Sequence, residues 1–200
     1  MGKNRNHPAP GSITKVEPIT DLKDIGRIRD LLRGNSRDLC LFNLGINTNL
    51  RAIDLVNLKI CQVRHLKPGD SLELRETKTG KKRANTINQI CYRSIQNLLA
   101  IDSMKGATDE DYLFQSRKGR TKLRANTLNA MVKKWTRAIN LKGRYGSHTL
   151  RKTFGFIHRT KLGTDIPTLM TMFNHSTQRQ TLDYLCIQPE EIRDAYMKEI

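Results

Sequence analysis

His148-Thr-Leu-Arg151, Asn174-His175-Ser176-Thr177 and Thr181-Leu-Asp-Tyr184 follow one another in this 200-residue chain and carry its most informative side chains. They bring two imidazoles, a guanidinium and a phenol into one short part of the sequence. Such groups can hold a phosphodiester, transfer its protons and attack its phosphorus. Residues 147–162 have helical apolar spacing, and Thr177-Gln-Arg-Gln180 matches the capping box that begins a helix. The pattern therefore predicts one helix with His148 and Arg151 and another with Tyr184.

The spacing within these segments decides whether the side chains can meet. His148 and Arg151 are three residues apart on one predicted helix and project from the same face, although such a pair is more often a solvated surface. His175 and Tyr184 would lie on opposite sides of a single straight helix. A helix that starts at Thr177 leaves His175 in the preceding turn, from which it can fold back toward Tyr184. The alternative for Tyr184 is a half-buried anchor with its hydroxyl at the rim.

Two cations far upstream extend this set. Arg51 follows Asn47-Thr-Asn49, whose side chains we expect to cap a short helix through Asp54. Helix amides and the Arg51 guanidinium can then share one anion, the alternative being an ordinary surface arginine. Lys78 lies beside the predicted Thr79-Gly80 turn, from which an ammonium can reach a ligand. The alternative for Lys78 is a solvated turn lysine.

The remaining pattern predicts a mainly α fold with one small antiparallel β-hairpin. Residues 70–76 alternate apolar and polar side chains, and residues 82–87 are compatible with the partner strand. Apolar residues recur at helical spacing elsewhere, and the predicted helices cover 22–32, 36–45, 50–56, 88–101, 125–139, 147–162, a segment after Asp165, the Tyr184 segment and 190–200. We expect residues 1–18 to form a flexible basic arm and residues 19–200 a single domain.

Charge and composition indicate a nucleic-acid partner. Lysine and arginine number 36 against 19 acidic residues, which gives a net charge of +17 and a pI near 10.1. An excess of this size usually marks a polyanion partner, although a generically soluble basic protein is the alternative. The sequence contains no apolar run of membrane-spanning length and no secretory signal, so we expect a cytoplasmic protein. Four scattered cysteines without metal-ligand spacing argue against a zinc site or a disulfide framework.

The order and spacing of these segments resemble the tyrosine recombinase (phage integrase) family over residues 21–200. The segments that carry the resemblance are Leu50-Arg51-Ala-Ile-Asp54, Thr77-Lys78-Thr-Gly, Ser147-His-Thr-Leu-Arg-Lys-Thr-Phe154, Asn174-His175-Ser and Tyr184. The resemblance implies the catalytic-domain fold of that family. It also implies a bacterial or phage-encoded, nucleoid-associated recombinase of the integrase or invertase type. Such an enzyme cleaves and rejoins double-stranded DNA through a 3′-phosphotyrosyl intermediate, with no cofactor and no metal.

The resemblance assigns the nucleophile and the phosphate ligands. Tyr184 would attack the phosphodiester. Arg51 and Arg151 would hold the non-bridging oxygens, which gain charge in the transition state. His175 would donate a further hydrogen bond to the phosphate.

Proton transfer would fall to two further residues. Lys78 would protonate the leaving 5′ oxygen, with Lys81 or Lys82 as alternative matches in the same hairpin. His148 would be the acid/base partner of the tyrosine. Asp54 stands where a glutamate is common in the family, and we expect it to brace the helix that follows Arg51.

Some alternatives stay open at this point. Family members usually carry an N-terminal helical domain that 18 loose residues cannot form, so the chain is either a catalytic fragment or a short recombinase like the fimbrial-switch invertases. The last helix, with Ile192, Ala195 and Tyr196 on one face, packs on its own domain or docks on a neighbouring protomer. We expect a dimer or tetramer on DNA and allow a monomer without it. The alternative functions are a type IB-like topoisomerase and a catalytically inactive DNA-binding protein of the same fold.

Overall fold

The computed structural model describes residues 16–116, 119, 121–185, 187 and 189–199. The described helices and strands run in the order α1 Leu22–Leu32, α2 Ser36–Asn47, α3 Ala52–Val56, β1 Ser71–Arg75, β2 Lys82–Thr86, α4 Gln89–Leu99, α5 Ala125–Ala138, α6 Ser147–Thr160, α7 Ile166–Phe173, α8 Gln178–Leu185 and α9 Pro189–Tyr196. The predicted mainly α fold with one antiparallel hairpin is therefore confirmed. Within the described residues no helix is long and apolar enough to cross a membrane.

Helix α2 lies at the centre of the larger hydrophobic core. It packs against α1, α3, α4 and α6, and its fully buried apolar side chains are Cys40, Leu41, Phe42 and Leu44. The contact with α6 is close at Gly45, where an added Cβ would lie 2.5 Å from Cδ1 of Leu150. Because glycine lacks a Cβ, the first turns of α6 can approach the loop that follows α2. That approach brings His148 and Arg151 beside Arg51.

A smaller core holds the C-terminal helices against α6. It consists of Phe154, Leu169, Phe173 and Leu185, with Tyr184 packed at its edge. Helix α6 leaves room for this cluster at Gly155, where an added Cβ would lie 2.7 Å from Cζ of Phe173. The side chains of Asp165 and Thr177 accept hydrogen bonds from backbone N–H groups in the first turns of α7 and α8. The predicted start of the Tyr184 helix after Thr177 is therefore confirmed.

The hairpin forms in the predicted place and faces the α2–α3 loop. Its register pairs Ser71 with Thr86 and Arg75 with Lys82. The turn is closed by two backbone hydrogen bonds, from the N–H of Glu76 to the carbonyl of Lys81 and from the N–H of Gly80 to the carbonyl of Glu76. Lys78 lies inside this turn and is exposed to solvent.

The expected capping of α3 by residues 47–49 is wrong. Arg51 is the N-cap of that helix, and no side chain caps it. Asn47 and Thr48 instead donate to carbonyls of α2, whose last turn they close. Asn49 adopts a left-handed conformation with φ of 54° and donates its amide to the carbonyl of Met172, 2.9 Å away. The loop is thus shaped by contacts distant in sequence, which short-range capping rules do not include.

The predicted arm lies mostly outside the described residues, but its last residues pack on the domain. The N–H of Glu17 donates to the carbonyl of Arg144 at 2.7 Å, and Pro18 is buried. The next residue, Ile19, is buried and donates its N–H to the hydroxyl of Thr153 on α6. Of the cysteines, Cys40 and Cys91 are buried and Cys61 is partly exposed, all three as free thiols, whereas Cys186 lies outside the described residues.

Candidate active site

Arg151 lies at the centre of the site, on the second turn of α6. Only 1% of its surface is exposed. Its Nη1 donates to the carbonyl of Asn49, and its Nη2 donates to the carbonyl of Phe173 at 2.8 Å. Its Nε has no hydrogen-bond partner among the described residues. Two backbone carbonyls from separate segments therefore fix the guanidinium and leave some of its N–H groups for a ligand.

The Arg151 guanidinium is also flanked by aromatic rings. Its central carbon lies 4.9 Å from the ring centroid of Phe173 and 5.5 Å from that of Tyr184. Burial, together with the positive charges of Arg83 and Arg51, lowers the pKa of Arg151. A bound anion would offset the same repulsion.

His175 is positioned by the end of α7. Asn174 ends that helix in the left-handed conformation with φ of 55°, and the His175 ring stacks on Phe173 with centroids 5.0 Å apart. Its Nδ1 lies 3.1 Å from the hydroxyl of Thr181 and its Nε2 lies 3.5 Å from Nη2 of Arg151. Burial and then the nearby arginines lower the pKa of His175 to about 4. The ring is therefore neutral near pH 7, and a hydroxyl that donates to Nδ1 would leave the proton on Nε2.

Tyr184 lies beside both histidines, and its position next to His175 is the one that the helix start after Thr177 predicts. Its ring centroid is 5.4 Å from that of His175. Its hydroxyl oxygen lies 3.5 Å from Nδ1 of His148, which stands in the first turn of α6. Although the His148 residue is exposed, partial loss of hydration and the charges of Arg151, Lys152 and Lys78 lower its pKa. A neutral imidazole within reach of a phenol can accept its proton.

Arg51 approaches the site from the start of α3 and is held by an ion pair. Its Nη1 lies 2.5 Å from Oε2 of Glu76, a residue that is 1% exposed. The same carboxylate accepts a hydrogen bond from Nη1 of Arg83 at 2.9 Å. Burial by itself would raise the pKa of Glu76, but hydrogen bonds from Thr79, Arg51 and Arg83 lower it to about 2. Glu76 is therefore a buried anion at neutral pH.

Arg83 is also buried, and its hydrogen bonds are made within the protein. Its Nη2 donates to the carbonyls of Asn49 and Met172, and its Nε donates to the side chain of Asn85. The Asn49 carbonyl therefore accepts from Arg83 and Arg151 together. The residue ties the hairpin to the loops that hold Arg151.

The sequence patterns above do not single out Glu76 or Arg83, although a signal for them exists. The alternation Leu72, Leu74, Glu76 puts a carboxylate at the position where the strand faces the core. In β2, Arg83 occupies the buried position two residues before Asn85. A charged residue in core-facing register is rarely buried unless it is paired.

Lys78 lies at the edge of the site. The turn that carries it is fixed by Asp54 on α3, whose Oδ1 accepts the N–H of Thr77 at 2.7 Å. The expected bracing by Asp54 thus joins α3 to the hairpin. Lys78 is close enough to His148 for its charge to lower the pKa of that imidazole. Lys81 and Lys82, the alternative matches, are both exposed on the same hairpin.

The fold therefore gathers five of the six predicted residues, Arg51, His148, Arg151, His175 and Tyr184, from α3, α6, the α7–α8 turn and α8, with Lys78 at the rim. The set combines cations that can neutralise a phosphate, a neutral imidazole beside a phenol and an ammonium on a surface turn. Among the described residues no group of three or more histidine, cysteine or acidic side chains could hold a metal ion. These groups suit phosphoryl transfer to a tyrosine.

Comparison with known proteins identifies the family. A model described as "Phage integrase family" matches residues 20–191. A protein of Bacillus subtilis named "Probable integrase/recombinase YoeC" is 35% identical over 184 residues, which is 90% of this chain and 95% of that protein. The tyrosine recombinase XerC of Caldanaerobacter subterraneus is 28% identical over 81% of this chain, which spans only 44% of that protein.

Solved structures share the fold. The XerA recombinase superposes with a TM-score of 0.77 at 20% identity, over 93% of this chain and 68% of that one. XerH bound to a palindromic difH substrate superposes with a TM-score of 0.75 at 17% identity, over 92% of this chain and 53% of that one. Since the family model covers most of the chain and the Bacillus relative matches nearly end to end, this chain belongs to the phage integrase family of tyrosine recombinases.

Proposed function

We propose that this chain is a site-specific DNA recombinase in which Tyr184 attacks a DNA phosphodiester and forms a 3′-phosphotyrosyl bond. The observation that carries the proposal is the convergence of the Tyr184 hydroxyl, 3.5 Å from His148, with the buried Arg151 guanidinium beside its ring. Family membership supports the same reaction. A neutral phenol is a weak nucleophile, and a neighbouring base and cations favour its phenolate.

In the proposed reaction His148 takes the phenol proton as the Tyr184 oxygen bonds to phosphorus. The bond from phosphorus to the 5′ oxygen breaks, and Lys78 protonates that oxygen. Arg51 and Arg151 neutralise the non-bridging oxygens, and His175 donates through Nε2. Attack by another 5′ hydroxyl reverses the step, so the phosphoester bond is conserved and no nucleotide hydrolysis is needed.

Phosphate contact at Arg151 requires a local movement. Since 1% of that residue is exposed, a phosphate reaches it only when the adjoining rings of His175 and Tyr184 shift. Both rings belong to the α7–α8 turn and α8, which pack mainly on the smaller core. We therefore propose that DNA binding shifts the rings of His175 and Tyr184 enough to open Arg151 to the phosphate.

The net charge of the chain and the proteins that share its fold support two kinds of partner, DNA and further copies of the chain. The net charge of +17 supports salt-dependent binding of double-stranded DNA. One structural neighbour is a lambda integrase dimer bound to a core DNA site, at a TM-score of 0.68 and 15% identity. We propose assembly of a homo-oligomer on DNA in the bacterial cytoplasm, through the apolar side chains of Ile192 and Tyr196, which are 53% and 86% exposed. A dimer and a tetramer remain the two candidate assemblies.

A nicked suicide substrate tests the reaction, because loss of the short strand after cleavage traps the covalent adduct. Wild-type protein should form an adduct that survives denaturation. Tyr184→Phe should form none and still bind DNA. Tyr92→Phe on α4, which packs on the larger core, is the matched control and should behave as wild type.

The same assay separates the alternative functions. Adducts that persist in Tyr184→Phe would reject the nucleophile, and DNA binding by wild type without any adduct on its own site would favour an inactive binding protein. Relaxation of a supercoiled plasmid without any site would favour a topoisomerase. The relatives reported above are named as integrases or recombinases, which supports recombination.

A further inference from the structure

Glu76 is a buried anion that pairs with Arg51 of the proposed site and with Arg83. Its carboxylate contacts Arg51 at 2.5 Å, Arg83 at 2.9 Å and the Thr79 hydroxyl at 2.6 Å. Its side chain is 0% exposed, and that of Arg51 is 15% exposed. The partially exposed Arg51 is therefore the partner that can also face a ligand, while Arg83 is enclosed.

Glu76 links the hairpin to the start of α3. It ends the first arm of the hairpin and begins the turn that carries Lys78. Asp54 crosses in the opposite direction, from α3 to the N–H of Thr77 in the same turn. The two carboxylates therefore brace the start of α3, where Arg51 lies, against the turn of Lys78.

We propose, on the basis of the proposed function, that Glu76 is a positioning residue for DNA cleavage, which holds the Arg51 guanidinium against the scissile phosphate. Glu76 does not touch the substrate in this assignment. A long arginine side chain has many rotamers, and an ion pair at one end leaves its remaining N–H groups aimed in one direction. The carboxylate also lowers the repulsion between Arg51, Arg83 and Arg151, which lie together before any phosphate arrives.

The charge of Glu76 matters for a second reason. Three arginines and one phosphate would leave the buried site with an excess of positive charge, which a low dielectric makes unfavourable. A fixed carboxylate beside Arg51 keeps that excess small. Glutamine has nearly the same shape but only one acceptor oxygen, so Glu76→Gln removes the charge and can keep the contact with Arg51 or the one with Arg83, not both.

The test compares Glu76→Gln with Glu73→Gln, the same change at an exposed position of β1. Single-turnover cleavage is measured on the nicked suicide substrate and on the same substrate with a methylphosphonate at the scissile position. The methylphosphonate lacks the negative charge that Arg51 neutralises. On the normal phosphate Glu76→Gln should cleave about tenfold to a hundredfold more slowly than wild type. On the methylphosphonate the rates of Glu76→Gln and of wild type should differ by less than about threefold.

Other outcomes overturn the assignment. Equal rates on the normal phosphate would show that Glu76 does not position Arg51, and an equal loss on both substrates would indicate a merely structural role. Glu73→Gln should match wild type on both substrates. If Glu76→Gln does not fold, Glu76→Asp retains the charge on a shorter side chain and should show the same substrate-dependent loss at smaller size. A wild-type protein that forms no adduct would instead reject the proposed function, on which this inference rests.

Discussion

Gly155→Ala should impair DNA cleavage although Gly155 touches none of the proposed catalytic atoms. A Cβ at this position would lie 2.7 Å from Cζ and 3.0 Å from Cε2 of Phe173, whereas ordinary contacts begin at 3.4 Å. The Phe173 ring must therefore move by roughly 0.7 Å. That ring stacks on His175 at 5.0 Å and lies 5.4 Å from the Tyr184 ring. The shift is therefore passed to the nucleophile and to its phosphate donor.

The size of the effect follows from two opposing terms. Overpacking of a tight core costs about 1–3 kcal/mol, and alanine is favoured over glycine within a helix by about 1 kcal/mol. The free energy of unfolding should thus fall by about 0–2 kcal/mol, and the protein should still fold. A misplacement of about 1 Å at a reacting group can cost roughly a hundredfold in rate. We expect single-turnover cleavage to slow by about tenfold to a hundredfold.

Single-turnover cleavage of the suicide substrate, with thermal unfolding of each variant, measures both quantities. Gly26→Ala in α1 is the matched control because its new Cβ would meet nothing within 4 Å. It should raise the melting temperature and leave the cleavage rate unchanged. If Gly155→Ala cleaves at the wild-type rate with a raised melting temperature, the contact between Phe173 and the catalytic rings does not govern their positions.

Three further changes test the positions of His175 and Arg151. Thr181→Val removes the buried hydroxyl beside Nδ1 of His175, and it should slow cleavage about tenfold and lower the free energy of unfolding by about 1 kcal/mol. The depressed pKa of His175 means that the unfolded chain binds more protons between about pH 4 and 6.5, so acidification through this window should remove at most about 3 kcal/mol of stability in chemical denaturation. Asn49→Gly should retain more cleavage activity than Asn49→Ala, because the left-handed φ of 54° that aims its carbonyl at Arg151 suits glycine.

Each of these expectations has a control. Thr136→Val removes another buried hydroxyl, one that bonds within α5, and it should change stability without changing the cleavage rate. A His175→Asn variant whose stability varies with pH as steeply as that of wild type would exclude His175 as the source of the acid sensitivity. Equal cleavage by the glycine and alanine variants at Asn49 would show that the aim of the carbonyl does not matter.

Local sequence patterns were sufficient to predict the helices and the hairpin. The alternation before Thr79-Gly80 predicted the hairpin, and the capping box at Thr177 predicted the helix of Tyr184, because strand register and helix caps are set by neighbours in sequence. The same capping box indicated that His175 would turn back toward Tyr184, and the rings do lie 5.4 Å apart.

The contacts that fix the site could not be derived in the same way. Glu76 meets Arg51 across many residues of chain, and Arg83 reaches Asn49 and Met172 in two other segments. Such pairings depend on how the hairpin packs against the rest of the domain. Neither the spacing of apolar residues nor the amino-acid composition specifies that packing. The side chain of Asn49 is of a type that often caps helices, which is why the sequence favours a cap there. In the structure its backbone is left-handed, and its carbonyl accepts hydrogen bonds from Arg83 and Arg151.

Mass spectrometry of the trapped protein–DNA complex tests the central claim most directly. After nuclease and protease digestion of the adduct from the suicide substrate, the residue that carries the nucleotide remnant can be read from the peptide fragments. The account predicts that Tyr184 carries the remnant, linked through a phosphate to the 3′ end that cleavage creates. A remnant on any other residue, or on the 5′ side, would contradict it.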